Sequence, residues 1–202
     1  MQLILASKSP RRREILSSLG LSFEVITADT DESCDLTEPT LYVKEIAARK
    51  GKAVRDALVA EGRDLSDTVI ISADTVVACD GKILGKPHSR EDAKEMLTLL
   101  SGKPHTVISG VALLGKDHTA VCAEVTEVFF SEIEEKELLL YLDSDEPYDK
   151  AGAYAIQGFA SLWISGIKGD YFNVVGFPTH RFRRMMSEEF GIPLADLITK
   201  LP

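Results

Sequence analysis

In the stretch Ser7-Lys8-Ser9-Pro10-Arg11-Arg12-Arg13, two hydroxyls and four cations crowd the boundary between an apolar run and a helical pattern. Ser9 reads as the helix N-cap and Pro10 as the first helical residue. A helix N-terminus presents unpaired N–H groups and the positive end of the helix dipole, so cations there work against the helix and anions work for it. A bound anion, most simply phosphate, resolves that conflict by contacting the dipole and the arginines together; the plainer alternative is a solvated basic turn. The chain has no glycine-rich loop ending in Gly-Lys-Ser or Gly-Lys-Thr, so a Walker-type phosphate loop is excluded.

A second candidate is Asp74, in the run Ser72-Ala73-Asp74-Thr75 that continues a β-branched stretch from Thr68. A bare carboxylate inside a buried strand is costly, so Asp74 is paired, metal-bound or catalytic, or it caps a neighbouring N–H at a turn. Lys50, Lys52 and Lys86 are cations able to neutralise phosphate oxygens, with Lys86 held between Gly85 and Pro87. Asp29, Asp31, Glu32 and Asp35 form an acidic loop that could lend a metal ligand or simply face solvent. The stretch from Asp145 to Gly158 sets small residues around Tyr154 and Gln157; small residues let backbone approach a flat ligand, and a Gln amide can pair with a base edge. The four histidines show no metal-binding spacing and no serine lies in a nucleophile elbow, so zinc-protease and hydrolase-triad chemistry lack support.

The elements that must position these groups follow from periodicity and punctuation. Leu3 to Ala6 reads as a strand, Arg11 to Leu19 as a helix closed by Gly20, and Phe23 to Thr27 as a second strand. Leu41 to Val59 carries apolar residues at helical spacing. Thr68 to Ala78 reads as a buried strand that turns at Asp80-Gly81, and Ser89 with Asp92 opens a helix that Gly102 stops. Thr106 to Leu114 and Thr119 to Phe130 read as a hairpin, Glu132 to Leu142 as a helix, Phe159 to Ile164 as a strand and Thr179 to Phe190 as the last helix. Interleaved strands and helices with hairpins define an α/β or α+β class with a mixed sheet.

Composition narrows the function. At 45% hydrophobic and 27% charged over 202 residues, the chain can bury a full core as one domain spanning 1–202. No apolar run reaches the length of a membrane span, and the basic residues follow the first apolar stretch rather than precede it, which argues against export and for the cytosol. Three cysteines, Cys34, Cys79 and Cys122, fit neither a disulfide framework nor a zinc site and read as reduced thiols. A net charge of -9 disfavours a nucleic-acid polymer as partner.

Taken together, SKSPRRREIL from Ser7, SADT from Ser72, GKP from Gly85, DKAGAYAIQG from Asp149 and GDYFNVVGFP from Gly169 resemble the Maf family of nucleotide pyrophosphatases. The resemblance implies an inosine-triphosphatase-like α/β fold, with an elongated mixed β-sheet flanked by helices, two lobes and a central cleft, often as a homodimer. It implies hydrolysis of a nucleoside triphosphate to the monophosphate and pyrophosphate with a divalent cation, Mg²⁺ or Mn²⁺. By the same resemblance Ser7, Ser9, Arg11, Arg12, Lys50 and Lys86 bind the phosphates, with Lys52 an alternative register for Lys50. Asp74 accepts the proton, and Glu32 and Asp74 hold the metal. Arg11, Thr75 and Gln157 resemble the subgroup specific for dTTP and UTP. Action on 7-methyl-GTP or modified nucleotides, or non-catalytic nucleotide binding in division-septum control, are the alternatives. On this reading Arg12→Ala and Lys86→Ala would weaken substrate binding and leave thermal stability nearly unchanged.

Overall fold

The computed structural model describes residues 1–198, so the last four residues of the domain read from the sequence lie outside them. Strand and helix alternate from the start: β1 (Gln2–Leu5), α1 (Pro10–Ser18), β2 (Glu24–Val25), α2 (Pro39–Ala60) and β3 (Thr68–Cys79). β1 pairs in parallel with both β2 and β3. The chain therefore winds to one side of β1 through α1 and crosses to its other side through α2. Such a reversal is a topological switch point, and ligands in open α/β sheets bind outside the carboxyl ends of the strands that flank it.

The rest of the chain adds β4 (Lys82–Leu84), α3 (Arg90–Leu100), β5 (Pro104–Leu114), β6 (Thr119–Phe130), α4 (Glu135–Leu142), β7 (Ile164–Lys168), α5 (Tyr171–Val175) and α6 (Thr179–Phe190). Among the described residues the strands form one mixed sheet in the order β2-β1-β3-β5-β6-β7, with β4 beside β3 in an antiparallel hairpin. This is the mixed α/β architecture that the interleaved pattern predicts.

The described chain divides into two compact units, one formed by Met1–Asp74, Ser109–Ala123 and the segment from Gly176, the other by Thr75–Ile108 and Glu124–Val175. In the first, side chains alternate across the sheet with the strand period of two. Ile4, Ala6 and Ile70, with Ala112 and Leu114, meet Ala47, Val54 and Leu58 of α2 in one core cluster. Ser72 and Asp74 continue the face set by Ile70, so α2 also covers them. In the second unit, Val77, Leu84, Leu97, Leu100, Leu138, Tyr141 and Trp163 share a core. Trp163, expected in a core, is buried there and donates from Nε1 to Glu137 Oε2 at 2.8 Å.

Local punctuation behaves as read. Ser9 caps α1, with its hydroxyl accepting from the Arg12 N–H, and Pro10 is the first helical residue. Ser89 caps α3 and accepts from the Asp92 N–H, while Asp92 reaches back to the His88 N–H at 2.8 Å. Two expectations need correction. Phe159 to Ile164 is not a strand: Phe159–Trp163 is a 3-10 turn and the strand begins at Ile164. Ala160 and Trp163 are buried while Ser161 and Leu162 are exposed, a spacing of three that a strand cannot make. The helix expected from Glu132 begins at Glu135, and the glycine-rich segment before Pro178 contains α5. Cys79 is buried, and Cys34 and Cys122 are half-buried; all three are free thiols.

Candidate active site

β1 ends at Leu5 while its neighbour β3 continues, and the loop from Ala6 to Ser9 turns off beside it. The Ala6 N–H donates to the Ile71 carbonyl at 2.7 Å, which seats Ser7 and Ser9 near Ala73 and Asp74. Ser7 is buried, and its Oγ accepts from the Ser9 N–H at 3.3 Å and from Arg12 Nη1 at 3.2 Å.

Arg12 does more here than the sequence suggests. Its Nη1 donates to the Ala73 carbonyl at 2.8 Å and its Nε to the Gly176 carbonyl at 3.0 Å. The guanidinium thus fastens the residue before Asp74 to the segment that opens α6. Burial pulls its pKa below the ordinary arginine value, and Asp74 pushes back. These carbonyl bonds give Arg12 structural partners that the expectation of nearly unchanged thermal stability does not include. Arg11, beside it in the first turn, is half-buried.

Asp74 is paired. Lys50 Nζ lies 2.8 Å from Asp74 Oδ1 and 2.9 Å from Glu32 Oε2, so one ammonium bridges two carboxylates. The Lys50 and Asp74 side chains are 20% and 14% exposed, enough shielding for the charges to be felt strongly and enough opening for a ligand to reach them. Lys50 reaches the carboxylates from α2, whereas Lys52 is exposed to solvent. The acidic loop is anchored by Arg49, whose Nη1 donates to the Ser33 carbonyl at 2.7 Å while its Nε pairs with Glu45 at 2.6 Å.

Tyr42 also belongs to this neighbourhood and escaped the sequence reading. Burial, then the Asp74 carboxylate, raises its pKa above the usual tyrosine value, so it keeps its proton as a donor. Its position about two turns ahead of Lys50 on the same helix was the available signal.

The remaining candidates lie in the second unit. Thr75 follows Asp74 on β3 and is half-buried. Lys86 and Gln157 are both exposed. Their loops are tied together, because the Gly152 N–H donates to the Gly85 carbonyl at 3.0 Å. Gly158 stands at φ 104, and Glu146 fills the space a side chain would need there, its Oε2 accepting from the Phe159 N–H at 3.3 Å. Gln157 therefore extends from backbone that is held just beyond it by Glu146.

For a divalent cation, the donor set is the test. Among the described residues no three His, Cys, Asp or Glu side chains converge to form an all-protein cage. Glu32 and Asp74 do converge, on the Lys50 ammonium. One or two carboxylates completed by water and substrate phosphate is the usual setting for Mg²⁺, so these residues fit that ion.

A parallel-sheet switch point furnished with cations and paired carboxylates defines a class: α/β proteins able to hold a charged ligand outside their strand ends. Residues 2–189 match the family described as Maf-like protein, and the chain belongs to the Maf family. A dTTP/UTP pyrophosphatase of Thermoanaerobacter sp. (strain X514) is 43% identical over 96% of this chain and 100% of its own length. Relatives of the same name from Caldanaerobacter subterraneus subsp. tengcongensis (42% identical, 95% of this chain and 91% of its own) and Bacillus anthracis (43%, 93% and 95%) are similar to it. Among solved structures, that of the Staphylococcus aureus Ham1 protein aligns with 98% of this chain and 94% of its own at 14% identity and a TM-score of 0.49, a distance at which the likeness carries no argument.

Proposed function

We propose that this protein hydrolyses nucleoside triphosphates, dTTP and UTP foremost, to the monophosphate and pyrophosphate. The observation that carries the reading is Asp74 in the middle of β3, just past the point where β1 ends, paired to Lys50 and held beside the capped N-terminus of α1. The names of the 42–43% identical relatives support the substrate pair.

Attack of water on the α-phosphorus needs a proton acceptor and positive charge on the oxygens that gain negative charge. Asp74 takes the proton. Lys50, Arg11 and Lys86 neutralise phosphate oxygens, and the Ser7 and Ser9 hydroxyls with the first N–H groups of α1 donate to them. Arg12 contributes positive potential while holding the Ala73 carbonyl. A carboxylate is a weak base at its ordinary pKa of about 4. Mg²⁺ or Mn²⁺, held by Glu32 and Asp74, would acidify the water and screen the triphosphate charge. The Gln157 amide can accept from N3–H and donate to O4 of uracil or thymine, which sets the pyrimidine preference. The thymine methyl is worth no more than about 1–3 kcal/mol, so both substrates are accepted.

The reading extends to a cytosolic enzyme, active as a homodimer. No described helix is long and apolar enough to cross a membrane.

Pyrophosphate release from dTTP, UTP, CTP, GTP and 7-methyl-GTP, each with Mg²⁺, with Mn²⁺ and with chelator, tests it. The expected result is a kcat/KM lead for dTTP and UTP that chelation abolishes. A lead for any of the other three overturns the specificity, and nucleotide binding without release leaves the regulator reading in its place.

A further inference from the structure

Lysine is a poor means of placing a charge, because four rotatable bonds separate its ammonium from the backbone. Lys50 nevertheless holds both Asp74 and Glu32. The backbone that carries it must be fixed unusually well, and the structure shows how.

α2 comes close to the sheet at two points, each marked by a glycine. At its first turns, a Cβ built on Gly110 would lie 2.2 Å from the Val43 carbonyl oxygen, so helix backbone sits directly on β5. Roughly two turns and 12 Å further on, a Cβ on Gly51 would lie 2.2 Å from Leu114 Cδ1 and 2.6 Å from Ser72 Oγ. At this second point the contact is also polar. Ser72 is wholly buried, and its hydroxyl donates to the Ala47 carbonyl at 2.7 Å. An interior helix carbonyl already accepts from the N–H four residues on, so Ser72 is a second donor that the helix does not need for its own stability. Lys50 leaves α2 one turn beyond Ala47, and Asp74 leaves β3 two residues beyond Ser72 on the same face. This hydrogen bond from strand side chain to helix backbone thus stands at the root of the ion pair.

Resting on the hydrolysis proposed above, we infer that Ser72 and Gly51 are positioning residues: the hydroxyl-to-carbonyl bond and the missing Cβ fix the slide of α2 along β3, and with it the Lys50 ammonium against Asp74. Neither touches substrate. Both act through Lys50.

The test is kinetic and thermodynamic together. Ser72→Ala and Gly51→Ala should lower kcat on the order of 10–100-fold for the triphosphate that wild type turns over best, the scale expected for a misplacement of about 1 Å. KM should change far less. In a Lys50→Met background the same substitutions should cost no further activity, because residues acting through a common partner are not additive. Leu58→Ala, which opens a cavity at the far end of α2, should lower the melting temperature and leave kcat intact. Independent of turnover, the coupling between Lys50→Met and Asp74→Asn in thermal unfolding should be present in wild type and lost with Ser72→Ala. A Ser72→Ala loss that is equally large in the Lys50→Met background, or a coupling that survives it, overturns the inference. If wild type releases pyrophosphate from no triphosphate, the proposed function falls, and the unfolding cycle alone still decides whether Ser72 places Lys50.

Discussion

Asp74 stands in a largely apolar strand with the Lys50 ammonium 2.8 Å from its Oδ1. Asp74→Asn preserves the shape and removes the carboxylate proposed as the base. Turnover should fall by about 10²–10⁴, or more if the metal is lost with it, while nucleotide binding and a folded spectrum persist; near-normal turnover would remove Asp74 from the mechanism. Arg12 and Lys86, alike on paper, should part company. Arg12→Ala strips donors from the Ala73 and Gly176 carbonyls and from Ser7, and leaving such acceptors unanswered costs about 1–3 kcal/mol each when they are buried. These are only partly buried, so a total near 2 kcal/mol is expected, read as a drop of roughly 4–8 °C in melting temperature for a chain of this size. Lys86 is exposed between Gly85 and Pro87, and Lys86→Ala should raise KM with the melting temperature unchanged. An unchanged melting temperature for Arg12→Ala would mean that the clamp holds nothing.

Elements reveal where the sequence was readable. α1 was legible because its cap, its proline and its closing glycine are local, and α6 runs from Thr179 to Phe190 as its pattern said. Asp74 was legible because a charge interrupts a β-branched run. The Arg12 clamp was not, since its Gly176 acceptor lies 164 residues away and no local pattern announces it. Nor was Ser72: a serine in a strand looks ordinary until a helix carbonyl is seen above it. The Phe159–Trp163 turn failed for a different reason, because a short apolar run carries too few residues to separate a period of two from one of three. Its neighbouring loop offers a prediction at this scale. Gly152 stands at φ 68, and a Cβ there would lie 2.8 to 3.2 Å from three side-chain atoms of Val77. Gly152→Ala meets both backbone strain and overpacking and should destabilise by about 2–4 kcal/mol in denaturant titration, with the m-value unchanged.

Stability across pH is a property of the whole molecule. His105 is 3% exposed, its ring edge-on to Phe130, with Nε2 2.7 Å from the Tyr154 hydroxyl. Burial pushes its pKa down to about 4 and that of Tyr154 up, so the bond joins a neutral imidazole and a neutral phenol. The unfolded chain binds this proton more readily than the folded one, so stability is complete above an unfolded pKa near 6.5 and declines as pH falls from there toward 4. The loss from this site is roughly 3 kcal/mol by pH 4. Melting temperatures followed from pH 7 to pH 4 should show it, and His105→Phe should flatten that limb; an equally steep limb in the variant assigns it to the carboxylates instead. The Arg12 clamp has one more consequence, which concerns time. Ribosomes add roughly 5–20 residues per second, so about 5–20 s separate the synthesis of Asp74 from that of Gly176. Through that interval the strand ends exist without the carbonyl that completes their arginine, and the first compact unit waits for its third stretch of chain. A half-made copy of this protein therefore has its carboxylate and its lysine and still lacks the carbonyl that completes the Arg12 contacts.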